Sequence, residues 1–170
     1  MFNVCLNCGQ YSAAKTIDTQ GAPKDWATAI CPECGHVHPF RYLPLMLITG
    51  ASATGKTTLS YTLSQQLRGV TILDNDILWQ PEFADNKDNN RRFFETWLRM
   101  AKNLHQSGRQ VVLFGAGTGV PENVENCTER RYFSAVHRLA YVCDDAVLEA
   151  RLRSRPAWRG CNNDDFLHAH

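Results

Sequence analysis

Leu45-Met46-Leu47-Ile48-Thr49-Gly50-Ala51-Ser52-Ala53-Thr54-Gly55-Lys56-Thr57-Thr58 is the stretch whose reading settles the fold. Its first four residues form an unbroken apolar run, the pattern of a buried strand. Gly50 to Thr57 then fits the spacing G-x-x-x-x-G-K-[ST]. Each residue type has a physical reason. Glycines let the backbone curl until several N–H groups converge on phosphate oxygens. Ala51, Ser52, Ala53 and Thr54 are small and leave the turn uncrowded. Lys56 places a point charge on β and γ phosphates, the Thr57 hydroxyl suits Mg²⁺, and Thr58 carries the loop into a helix. That helix starts at the phosphates, where its N-terminal dipole favours an anion. A glycine-rich turn that binds nothing is the alternative, and the strand before and helix after weigh against it. The stretch predicts an ATP-binding site over Gly50–Thr58.

Outward from this loop, apolar runs alternate with helical patterns. Thr57 to Arg68 reads as a helix with Leu59, Leu63 and Leu67 on one face and Gly69 as its stop. Val70 to Leu73 reads as a second strand. Arg91 to Ser107 reads as a long helix carrying Phe94, Trp97, Leu98, Ala101 and Leu104 on one stripe, closed by Gly108. Val111 to Phe114 is a third strand, Leu139 to Val142 a fourth, and Asp145 to Arg153 a helix. Such alternation predicts an α/β fold, a parallel sheet covered by helices. The polar stretch 81–92, PEFADNKDNNRR, is expected to be a mobile loop.

Strand two runs into Leu73-Asp74-Asn75-Asp76. Parallel strands present their C-terminal ends to the ligand crevice, so both carboxylates stand beside the γ-phosphate. One suits the Mg²⁺ water shell, and the other can orient and deprotonate an acceptor hydroxyl. A solvated Asx turn is the alternative. Strand three ends without an acidic residue, which moves the metal role onto Asp74 or Asp76 and counts against a motor-type ATPase.

From residue 45 to about 159 the sequence resembles the small-molecule kinases of the shikimate-kinase and gluconate-kinase type, within the nucleotide-kinase-like P-loop proteins. Asp74-Asn75-Asp76 is similar to the Asp-Ser-Asp of shikimate kinases. That likeness implies Mg²⁺ for Asp74, with Thr57, and the substrate hydroxyl for Asp76. Gly115-Ala116-Gly117-Thr118-Gly119 is similar to their glycine-rich segment lining the acceptor site. Arg91 or Arg92 is placed like their acceptor-binding arginine. Those kinases continue after the lid with a helix, a fifth strand and a final helix, whereas this sequence stops at His170. The expectation is a sheet lacking its last strand, in a C-terminally incomplete domain spanning 45–170.

Arg151-Leu152-Arg153-Ser154-Arg155-Pro156-Ala157-Trp158-Arg159 holds four arginines and no acid. Helical spacing puts Arg151 and Arg155 on one face, and guanidinium forks bind phosphate oxygens bidentately. In the resembled kinases the lid begins here, which implies catalytic roles for Arg151 and Arg155 alongside Lys56. An exposed basic helix end is the alternative.

Residues 1–44 differ in composition, being rich in cysteine and turn residues. Cys5-x-x-Cys8-Gly9 and Cys31-x-x-Cys34-Gly35 are two knuckles 22 residues apart. Four thiolates so spaced complete a tetrahedral structural Zn²⁺ site, and a small segment with little core needs such a staple. A redox pair or two disulfides are the alternatives. The segment resembles a zinc ribbon. Its Lys15, Lys24 and Arg41 balance Asp18, Asp25 and Glu33, which weakens a nucleic-acid role. Of the remaining cysteines, Cys143 is expected in the core, while Cys127 and Cys161 receive no role. Trp79 and Trp158 are expected to pack, with stacking on a base or substrate as the alternative.

The totals bound the rest. The chain has 170 residues, 18 Lys+Arg against 17 Asp+Glu, and net charge +1, which gives no bulk case for nucleic acid or membrane. No apolar run spans a bilayer and the N-terminus lacks a signal-peptide pattern. Seven cysteines, an odd number, fit a reducing compartment, so the cytoplasm is expected. The leading function is transfer of the γ-phosphate of ATP to a hydroxyl of a small molecule. A nucleic-acid end kinase and a non-catalytic nucleotide-binding regulator are the alternatives.

Overall fold

The computed structural model describes residues 3–83, 88, 90–157 and 164–168. Trp158, Arg159 and Cys161 lie outside the described residues, as does much of the polar stretch 81–92.

Two sheets form. The first is an antiparallel meander of β1 (Thr16–Asp18), β2 (Trp26–Ile30) and β3 (Val37–Arg41). Its period-two pattern turns Ala27, Ala29 and Phe40 inward, where they meet the Tyr132 ring. The second sheet is parallel, with strand order β5-β6-β4-β7: β4 (Leu45–Thr49), β5 (Val70–Asp74), β6 (Gln110–Phe114) and β7 (Val136–Ala140). The chain leaves β4 past β6 to reach β5, and later leaves β6 past β4 to reach β7. The connections diverge between β4 and β6, which opens a crevice at their C-terminal ends.

Among the described residues this sheet is the α/β P-loop fold that the sequence predicts, a four-stranded parallel sheet flanked by helices. Its main helix is α2 (Arg91–Gln106). Phe93, Phe94, Trp97, Leu98 and Ala101 bury against Leu45, Leu47, Val111, Leu113 and Phe133. Deleting one such large buried side chain costs about 3–5 kcal/mol. The expected apolar stripe is therefore present, but Lys102 and His105 are buried on the same helix, which apolar periodicity did not flag.

The other face is thinly covered. Helix α1 (Lys56–Gln66) has no fully buried residue. It stops two residues earlier than expected, since Leu67 is extended at φ −87°, ψ 138° and sits outside the Leu59/Leu63 face. Strand four also lies earlier than the expected Leu139–Val142. Alignment with Leu45–Thr49 fixes its register at Val136–Ala140, which leaves Val142 exposed and Cys143 beyond the strand, only half-buried. Helix α4 (Asp145–Arg153) matches expectation, N-capped by Asp144, which accepts from the Ala146 and Val147 amides. Two short α-helices, α3 (Pro121–Glu125) and α5 (Asp164–His168), complete the α-helices among the described residues.

The two sheets are joined through buried charge. Lys102 and Glu129 are both fully buried and pair at 2.6 Å. The Asn3 side chain donates to Glu129 at 2.9 Å and accepts from Lys102. Lys15, counted above in the ribbon's charge balance, is wholly buried, its ammonium donating to the Asn3 and Ser12 carbonyls at 3.0 Å each. Tyr132 closes the cluster, donating to the Ala13 carbonyl at 2.7 Å and presenting its ring 4.2 Å from the Lys102 ammonium. Gln106 adds a clamp by exchanging hydrogen bonds with the Arg41 main chain.

Candidate functional site

The phosphate loop leaves β4 through Gly50 at φ 151°, turns through Ala53 at φ 68°, and enters α1 through Gly55 at φ 109°. Gly50 has no alternative: a Cβ there would stand 2.2 Å from the Tyr141 carbonyl oxygen. The carbonyls of Gly50, Ala51, Ala53 and Thr54 are held by the chain's own side chains. Lys56 donates to the Gly50 and Ala51 carbonyls at 2.6 and 2.8 Å, and the Thr54 hydroxyl donates to the Ala51 carbonyl at 3.0 Å. Arg151 donates to the Thr54 and Ala53 carbonyls at 3.1 and 3.4 Å. Burial lowers the Lys56 pKa, opposed by the nearby Asp76 and Asp74 carboxylates.

A cavity of about 710 Å³ opens over this loop. Its walls bring together Lys56, Thr57 and Thr58 from the loop and α1, Asp74 and Asp76 from the end of β5, Gly115 and Ala116 from the end of β6, and Arg151 and Arg155 from α4 and the turn after it. These are the residues that sequence reasoning singled out on four separate segments. Thr57 and Asp76 are exposed, and Asp74 is half-buried. The Asp74 carboxylate accepts from the Asp76 amide at 3.0 Å, which fixes the turn between the two acids. Tyr141, which the sequence did not flag, also lines the cavity and donates its amide to the Thr49 carbonyl at 2.7 Å. No sequence motif marks it; only the register of β7 against β4 brings it to the loop.

The glycine segment after β6, whose Gly115 and Ala116 line the cavity, is also constrained by packing. A Cβ at Gly115 would fall 1.9 Å from the Asn75 amide nitrogen, at Gly117 2.9 Å from the Phe94 ring, and at Gly119 2.5 Å from the Thr49 hydroxyl. Close packing therefore demands glycine at all three positions. Asn75 itself is buried, and its carbonyl accepts from the Trp97 indole at 3.2 Å. Arg91 and Arg92 do not reach the phosphate cavity. They line a second cleft of about 510 Å³ with Arg99, Phe83 and, from the ribbon, Tyr11 and Ala13. Trp79 packs edge-on against Phe93 at 5.2 Å, although half its surface stays exposed.

In the ribbon, the sulfurs of Cys5, Cys8, Cys31 and Cys34 lie within 4.8 Å of one another. Cys5–Cys34 is 3.7 Å and Cys8–Cys31 is 3.8 Å. A tetrahedron with metal–sulfur bonds of about 2.3 Å has edges of about 3.8 Å, so the four thiols fit a zinc ion. The knuckles repeat one geometry. Gly9 and Gly35, at φ 73° and 70°, donate their amides to the Cys5 and Cys31 carbonyls at 2.9 and 3.0 Å. The Asn7 amide hydrogen bond lowers the Cys34 thiol to about 6. The remaining described cysteines are elsewhere. Cys127 is buried, which pushes its thiol up to about 12.

No helix among the described residues is long and apolar enough to cross a membrane. No family model matches the sequence, and no curated protein matches it. Solved structures do. An unliganded sugar kinase from Janibacter sp. HTCC2649 superposes with a TM-score of 0.54 at 15% identity, covering 75% of this chain and 75% of that one. A putative kinase from Chloroflexus aurantiacus j-10-fl gives 0.52 at 25% identity, covering 74% and 73%. A gluconokinase from Sinorhizobium meliloti 1021 gives 0.51 at 15% identity, covering 76% and 73%. The chain thus shares the fold of P-loop kinases.

Proposed function

We propose that the chain binds Mg·ATP on Gly50–Thr58 and transfers the γ-phosphate to a hydroxyl of a small molecule. The observation that carries this reading is the convergence of Lys56, Asp74, Asp76 and Arg155 on one cavity. The sugar-kinase and gluconokinase likenesses are in keeping with it. Loop amides and Lys56 receive the β and γ phosphates, with the charge sited where the phosphoryl group departs. Magnesium, held by the Thr57 hydroxyl and through Asp74, would neutralise phosphate charge. Asp76 is the base: it stands exposed at the cavity wall, where its carboxylate can accept the acceptor's hydroxyl proton. Arg155 covers the phosphates from the opposite wall.

Cys5, Cys8, Cys31 and Cys34 hold a structural zinc ion in this reading, and residues 1–44 and 45–170 act as a ribbon and a kinase-like domain. Their shared buried cluster makes the ribbon a support for α2. ATP turnover against polyols, sugars and nucleosides tests the assignment, with Lys56→Ala as control. The variant is expected to lose ATP binding in calorimetric titration while keeping its fold. Unchanged affinity in Lys56→Ala refutes the loop as the nucleotide site.

A further inference from the structure

We propose that Arg151 is a positioning residue, which holds the phosphate loop in its binding shape through the Ala53 and Thr54 carbonyls, and that Arg155 alone of this segment meets the transferred phosphate. The assignment rests on the nucleotide reading above and divides two arginines that the sequence treats alike.

Ala53 carries the loop's turn at φ 68°, a left-handed conformation that a residue with a Cβ holds only when its surroundings enforce it. The carbonyls of Ala53 and Thr54 flank that turn, and both accept from the same Arg151 nitrogen. The peptide bonds are trans, so a carbonyl pinned one way turns the next amide the other way. Fixing the Thr54 carbonyl therefore aims the Gly55 N–H away from Arg151. Gly55 also approaches Arg151 closely, since a Cβ there would lie 3.8 Å from the same nitrogen.

Two cations hold the loop's carbonyls, and they differ in what ATP does to them. Lys56 now donates to Gly50 and Ala51, and it must leave them to reach the β and γ phosphates. Arg151 meets no such demand. Once nucleotide binds, Arg151 is the cation that still ties the loop's carbonyls to α4. Arg155 is placed otherwise. It lies past the end of α4, lines the same cavity, and makes no side-chain hydrogen bond or ion pair among the described residues. Its charge is felt at Lys56, whose pKa it helps to lower after burial.

The test titrates Mg·ATP, Mg·ADP and inorganic tripolyphosphate against wild type, Arg151→Ala, Arg151→Lys and Arg155→Ala, with a thermal melt of each. Hydrogen bonds from a charged group, once lost, weaken a site on the order of 10- to 100-fold. Arg151→Ala is expected to weaken all three ligands by the same factor in that range, with the melt unchanged, and Arg151→Lys to recover most of it. Arg155→Ala is expected to lower turnover while ADP affinity stays within about twofold. Unchanged tripolyphosphate binding in Arg151→Ala overturns the assignment, because a loop shaped by Arg151 must serve phosphates without a base. A loss for ATP but not ADP overturns it as well, making Arg151 a γ-phosphate ligand. If wild type binds none of the three, the nucleotide reading falls and this assignment with it; wild-type binding with an unaffected Arg151→Ala removes this assignment alone.

Discussion

Glu129→Gln removes one charge from the buried cluster between the ribbon and α2. Glu129 and Lys102 have no exposed side-chain surface, while Arg99, which also pairs with Glu129 at 3.0 Å, is nearly half exposed. The exposed pair contributes only about 0–1 kcal/mol. The buried one dominates: with the carboxylate gone, Lys102 stays enclosed between Asn3 and the Tyr132 ring without a counter-charge. Breaking such a pair from one side costs about 3–5 kcal/mol, and a chain of this size melts about 2–4 °C lower per kcal/mol lost, so the melting temperature is expected to fall by about 10 °C. Lys102→Met combined with Glu129→Gln removes both charges and leaves an amide that Asn3 and Arg99 can still reach. The double variant is expected to lose less than Glu129→Gln alone, with a coupling of about 1–3 kcal/mol. Urea unfolding of wild type, both single variants and the double variant measures the cycle. A Glu129→Gln cost under about 1 kcal/mol, or a double variant that loses the sum of the singles, refutes the reasoning.

Three further outcomes are expected. Asp76→Asn should lower turnover about 10²–10⁴-fold with Mg·ATP affinity unchanged, while Asp74→Asn should raise the Mg²⁺ requirement and keep the turn, because its side-chain oxygen can still accept from the Asp76 amide; initial rates against Mg²⁺ separate the two. Elemental analysis should find one zinc ion per chain, and its chelation should lower the melting temperature of the whole chain, since Asn3 and Lys15 are shared with the α2 cluster; a melt unmoved by chelation contradicts that coupling. Burial lowers His105 from 6.5 to about 4, its ring accepting from the Val111 amide. The unfolded chain therefore binds the extra proton first as pH falls. The stability from keeping His105 neutral is whole above 6.5 and is lost between 6.5 and about 4, on the order of 3 kcal/mol. Denaturant titrations of wild type and His105→Leu over that window should show the shallower acid slope in the variant.

What the sequence determined was whatever short-range pattern controls. The loop spacing needs only adjacent residues, and Leu45-Met46-Leu47-Ile48 and the Phe94–Leu104 stripe announce their elements because burial follows periodicity. The two knuckles are local turns repeated, so the cysteine cluster was readable too. Asp74 and Asp76 were placed by the rule that strand ends face the crevice, and they do line it. Tertiary structure decided the rest. Strand four lay at Val136–Ala140 because pairing with β4, not hydropathy, sets its register. No sequence pattern marks Lys15, Lys102 and Glu129 as buried, because Asn3 and Glu129, over a hundred positions apart, meet only in the fold, and a charge is buried only where a partner can compensate it. Glycines at 115, 117 and 119 carry a second constraint that only the fold shows: Asn75, Phe94 and Thr49 leave no room for a Cβ there. Arg151 and Arg155 are four residues apart and alike in type, and both line the cavity; the fold ties Arg151 to the Ala53 and Thr54 carbonyls and gives Arg155 no such bond among the described residues.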